Sequence, residues 1–149
     1  MNQQQLTELQ QRNKVTGDRG EDYVLSLERK RLAGHPLLYE VKIAGRYDVG
    51  LGYDIASFES LTSQKIDRYI EVKTYNGNPH FFLSQSEHAA AEKHTFRYYL
   101  YLVDEARLND PIYEPIIIRN PIQALNNDCW QQRLGTGNDG RDIHHPIPY

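Results

Sequence analysis

Cysteine is nearly absent: Cys129 is alone in 149 residues, so no disulfide can close within the chain and a stapled secreted scaffold is excluded. Long apolar runs are missing too, and nothing approaches the length of a membrane span. The first residues, Met1-Asn2-Gln3-Gln4-Gln5-Leu6, have no apolar core of the kind a secretion signal carries. A cytoplasmic location, or a nucleoid or nuclear one, is the expectation. Positive charge is also short, 17 Lys and Arg against 20 Asp and Glu, giving −3. That balance argues against a protein that grips nucleic acid by bulk potential. It leaves room for an enzyme whose acids are offset by divalent cations. The glycine-rich phosphate loop, the nucleophile elbow and the metalloprotease helix are all lacking.

What is present suits one domain with a real core. Mean hydropathy is −0.71, and 11 tyrosines supply much of the aromatic content, so many large side chains can be half-buried with a wet hydroxyl. Residues 1–15 hold five glutamines with a weak apolar spacing of Leu6, Leu9 and Val15. They read as a polar lead-in, helical or frayed. Asp18 is a candidate cap for a helix starting near Arg19, with Tyr23, Val24, Leu27 and Leu32 facing the core and Gly34 and Pro36 stopping it. Tyr39 to Ala44 predicts a first strand. Ser84-Gln85-Ser86-Glu87 is a capping box before an alanine-rich helix to about Thr95, and strands follow at 98–103 and 116–119. A helical turn is expected over 121–125. The segment 126–149, rich in glycine and proline, reads as irregular, anchored by Trp130. His144, His145 and Cys129 lack the paired spacing of a zinc site and read as surface residues.

The chemistry concentrates in Gly52-Tyr53-Asp54-Ile55 and Tyr69-Ile70-Glu71-Val72-Lys73. Both read as short strands joined as a hairpin. Alternation puts Glu71 and Lys73 on one face, and pairing of the strands brings Asp54 to the same side. Glu-x-Lys alone is weak, since it also occurs at Glu28-Arg29-Lys30 and Glu40-Val41-Lys42. The first lies in a helix, where positions two apart do not face each other, and reads as a solvated face. The second has no acid ending a strand just before it, and reads as an exposed outer-strand pair. The bland alternative for Asp54, Glu71 and Lys73 is a surface ion-pair ladder worth roughly 0–1 kcal/mol per pair.

The order of Arg19-Gly20-Glu21-Asp22, Gly52-Tyr53-Asp54-Ile55, Ile70-Glu71-Val72-Lys73, Phe82-Leu83-Ser84-Gln85-Ser86-Glu87 and Tyr98-Tyr99-Leu100-Tyr101-Leu102-Val103 resembles the PD-(D/E)xK, or restriction-endonuclease-like, nuclease superfamily. It looks most like the branch named after the NO VEIN C-terminal domain, over roughly residues 16 to 123. The resemblance implies a mixed α/β (α+β) domain over 16–125, with a central mixed four- to five-stranded sheet flanked by helices. It implies a metal-dependent nuclease in which Asp54, Glu71 and the Val72 carbonyl hold Mg²⁺ (or Mn²⁺), with Glu21 as a further ligand. Lys73 then orients the attacking water. Glu21 equally fits a local capping arrangement with Asp18, and the two roles are compatible. Capping is favoured for Ser84 and Glu87, leaving Gln85 as the functional residue there. The implied partner is nucleic acid, DNA before RNA, with a homodimer or a targeting protein as further partners. Local contacts could come from Arg29-Lys30-Arg31, Lys65 with Arg68, or Lys93-His94 with Arg97. The competing reading is a catalytically silent module of the same fold that binds nucleic acid or protein.

Overall fold

In the computed structural model, residues 2–46, 48, 50–127, 133–134 and 143–146 are described, the last two stretches and 125–127 by backbone alone. Helix α1 (Gln3–Arg31) is followed by a 3-10 turn at Leu38–Glu40 and then β1 (Lys42–Ile43), β2 (Ile55–Ser57), β3 (Arg68–Tyr75) and β4 (His80–Leu83). Next come α2 (Gln85–His94), β5 (Tyr98–Asp104), β6 (Ile116–Arg119), α3 (Pro121–Asn127), β7 (Arg133–Leu134) and β8 (Ile143–Pro146). The main sheet runs β1-β2-β3-β5-β6, antiparallel except for the parallel pair β3 and β5. A parallel neighbour needs a crossover, and β4 with α2 supplies it. The chain is thus a mixed α/β protein with a five-stranded mixed sheet flanked by helices.

Burial follows the pleat. From β3, Ile70 and Val72 join Ile55, Tyr99, Tyr101 and Val103 beneath Val24 of α1. On the opposite face Tyr98 packs against Ala90 and Ala91 of α2, while Leu100 and Leu102 meet Phe81, Leu83 and Ile118. With helices on both sides, β5 is buried along nearly its whole length, which explains its unbroken Tyr-Tyr-Leu-Tyr-Leu-Val run.

Several expectations are corrected. Asp18 does not cap a helix: α1 begins at Gln3, where Asn2 and Gln5 form the capping box, and Asp18 lies mid-helix. The short strand β1 keeps only Lys42–Ile43 of the span 39–44, because Leu38–Glu40 wind into the 3-10 turn. Glu28 is no solvated residue. Only 1% exposed, it accepts bonds from Arg31, from Ser57 Oγ at 2.8 Å and from the Tyr101 hydroxyl at 3.0 Å. Arg68 is likewise buried, paired with Glu59 and lying 4.0 Å from the centre of the Tyr99 ring, so it offers no charge to a nucleic acid. The segment after residue 126 contributes β8, which pairs with β4, and β7, which pairs with β8. Cys129 and Trp130 lie outside the described residues.

Candidate active site

Register assembles the site. Ile55 faces Ile70 across β2 and β3, so the preceding residue, Asp54, stands opposite Glu71 on the α2 side of the sheet. The backbone of Asp54 is fixed from two directions. Its N–H donates to the Ile70 carbonyl at 2.8 Å, and its own carbonyl accepts from Ala44 and Gly45. Its carboxylate accepts the Val72 N–H at 2.8 Å. Gly52, two residues earlier, has φ of +76°, and a Cβ there would run into the Ser86 carbonyl and the Ala90 side chain. Only glycine lets this loop pass so close to α2. The Tyr98 hydroxyl closes the loop by donating to the Gly52 carbonyl at 2.8 Å.

Glu71 is buried and Lys73 points the same way, its Nζ 3.7 Å from Glu71 and 2.7 Å from Glu87. Glu87 does two jobs with one oxygen, since Oε1 also accepts the Ser84 N–H at 2.9 Å in the capping box. Glu21 arrives from α1. Gly20 makes this possible: a Cβ there would sit 2.5 Å from Thr74 Cγ2, so the helix touches β3 at a position without a side chain. Arg46 then pairs with Glu21 at 3.1 Å and with Asp22 at 3.2 Å.

The electrostatics are those of acids crowded out of water. Burial, then the neighbouring Asp54, pushes Glu71 well above the usual carboxylate range. Burial also raises Asp54, against the pull of the Val72 N–H and Lys73. Glu21 is pushed up to about 7 by burial and by Asp54, with Arg46 opposing. Burial alone would lower Lys73, but Glu71 and Glu87 hold it above its ordinary value. Burial would raise Glu87, yet Lys73 keeps it low. Four acids are therefore set against one half-buried ammonium and one surface guanidinium. An added cation would relieve that excess.

Of the residues singled out in the sequence, Asp54, Glu71 and Lys73 come together with the Val72 backbone between them, while Glu21 reaches from α1 close enough to Asp54 to feel its charge. Gln85 is exposed on the first turn of α2. Glu87 and Arg46 were missed as members of the group. Glu87 had a signal, its capping box, but that accounts for the helix start and hides the second contact. Arg46 had none beyond its charge. Among the described residues no three acidic, histidine or cysteine side chains are drawn into a ready-made metal cage. Asp54 and Glu71 are nonetheless the pair of hard oxygen donors that Mg²⁺ ordinarily uses, completing its shell with water and phosphate. No helix among these residues is long and apolar enough to cross a membrane.

With that arrangement in view, the family comparison falls on the same elements. The chain belongs to the family described as Protein NO VEIN, C-terminal, which matches residues 20–118, from the Gly20 contact of α1 through most of β6. No curated protein and no solved structure matches the chain.

Proposed function

We propose that the protein is a metal-dependent nuclease of the PD-(D/E)xK type, cleaving phosphodiester bonds in nucleic acid, DNA before RNA. The five-stranded sheet is compatible with a restriction-endonuclease-like core. The observation that carries the reading is the meeting of Asp54, buried Glu71 and Lys73 on one sheet face, with more acid than the local cations balance. Asp54, Glu71 and the Val72 carbonyl would hold Mg²⁺, and Glu21 could serve a further ion. The bound ion would supply an acidified water and charge neutralisation on phosphate. Lys73, steadied by Glu87, would orient that water and meet the charge developing on phosphorus. Defence, restriction or DNA processing is the setting such chemistry serves, alone, as a homodimer or with a targeting partner.

The test is incubation with plasmid, single-stranded DNA and RNA, in Mg²⁺ or Mn²⁺ and in chelator, beside Asp54→Asn, Glu71→Gln and Lys73→Ala. Cleavage that disappears with chelator and falls about 10²–10³-fold in each variant is expected. Metal-dependent cleavage that persists in all three discards the assignment. The silent-module reading has one observation in its favour: the Lys73 ammonium is already engaged by Glu87 at 2.7 Å. It predicts binding without cleavage in every metal.

A further inference from the structure

Beside the acids lies a cleft of about 500 Å³ that the proposed chemistry does not use. Its walls include Tyr53, Tyr69, Ala89, Lys93 and His94. Tyr53 immediately precedes Asp54, and Tyr69 lies two residues before Glu71 on the same side of β3, so cleft and acids share a wall. The rings are ordered. Tyr69 and His94 stack with centroids 3.9 Å apart and planes 20° from parallel, and Tyr53 meets Tyr69 edge-on at 5.0 Å. All three are half-buried. Burial, with Lys93 and Arg97 close by, holds His94 below the usual histidine range, so at neutral pH its ring is an uncharged plane. Lys93, exposed at the rim, has no ion-pair or hydrogen-bond partner among the described residues.

We propose that this cleft seats one unpaired nucleobase of a strand whose neighbouring phosphate lies over the acid cluster. The protein then takes single-stranded, flapped or frayed nucleic acid in preference to intact duplex. This rests on the phosphodiesterase reading and names its substrate class. Every base has a π-face, so an aromatic wall accepts any of them, while a nearby cation tracks the backbone. Inside a duplex both faces of a base are already stacked, and entry to a recess requires extrusion from the stack. The volume is that of a small-ligand site and has no room for a duplex.

The test is binding, in chelator, of a fluorescein-labelled short oligothymidylate, the same backbone with abasic tetrahydrofuran units, and a blunt hairpin. The unaltered protein is expected to bind the oligothymidylate about tenfold more tightly than the abasic strand. His94→Ala should remove that difference. Ala89→Leu should do the same, because it narrows the cleft from an exposed position on α2 and leaves the core untouched. Equal binding of the two strands by the unaltered protein, or a preference for bases that survives both substitutions, overturns the proposal. Preference for bases without cleavage in any metal sustains the cleft and removes the nuclease. Cleavage in Mg²⁺ without that preference does the reverse.

Discussion

Glu21 shows how a single side chain can report on the whole cluster. Its folded value of about 7 lies above that of an unfolded glutamate, near 4.3. The folded state therefore holds the extra proton between those values, and stability falls as pH rises through that window. Glu21→Gln imitates the protonated form. Its melting temperature relative to the unaltered protein should rise between about pH 4.5 and 7 and then level off, as thermal melts across that range would show. A flat difference would mean that neither burial nor Asp54 raises Glu21. Glu87 allows a cleaner separation of roles. Glutamine also satisfies a capping box, so Glu87→Gln should keep the start of α2, and the cost of about 1–3 kcal/mol in urea unfolding comes from the lost charge opposite Lys73. It removes one of the three carboxylates that hold Lys73 up, so the alkaline limb of the pH–rate profile of the proposed cleavage should move to lower pH. An unmoved limb would leave Glu87 as a cap alone.

At the scale of elements, two glycines set the spacing. Gly20→Leu would push α1 away from Thr74 and Val72 and carry Glu21 off with it. The expected result is a loss of about 1–3 kcal/mol in urea unfolding, together with a Glu21 titration returned toward its ordinary range. The buried polar network offers a different test. Arg68→Leu strips Glu59 of its bidentate partner and takes a bond from Tyr101 beside buried Glu28. Glu59 is partly exposed and water can take it back, so the cost is that of lost charge-assisted bonds, about 1.5–3 kcal/mol, read as a lower urea midpoint. The strand holding Glu71 and Lys73 was legible because alternation in Tyr69–Lys73 is a local signal. Residues 52–54, read as strand, are instead the loop entering β2, which begins only at Ile55. The start of α1 was not legible. Asp18 and Glu21 have the spacing of a cap, yet helix continues through them because Asn2 with Gln5 caps earlier and the intervening glutamines have high helix propensity. Nor was the buried role of Glu28, since nothing within the helix says that Arg31, Ser57 and Tyr101 will surround it.

For the molecule as a whole, a cation that binds only the folded state stabilises it by mass action. Millimolar Mg²⁺ or Mn²⁺ should raise the melting temperature, more at pH 8 than at pH 6, because the crowded acids must release protons to take the ion. Chelator should reverse the shift, and Asp54→Asn should abolish it. A shift that persists in that variant would place the ion elsewhere. The sheet order, with β3 parallel to β5, was foreseeable only as a class, since pairing between distant strands leaves no mark within either one. Asp54, Glu71, Lys73 and Glu87 all come from one uninterrupted stretch, and Glu21 alone is contributed by a separate helix. Genetic exchange with a break point outside residues 54–87 therefore hands those four groups to the recombinant as a linked block, while Glu21 can be traded independently.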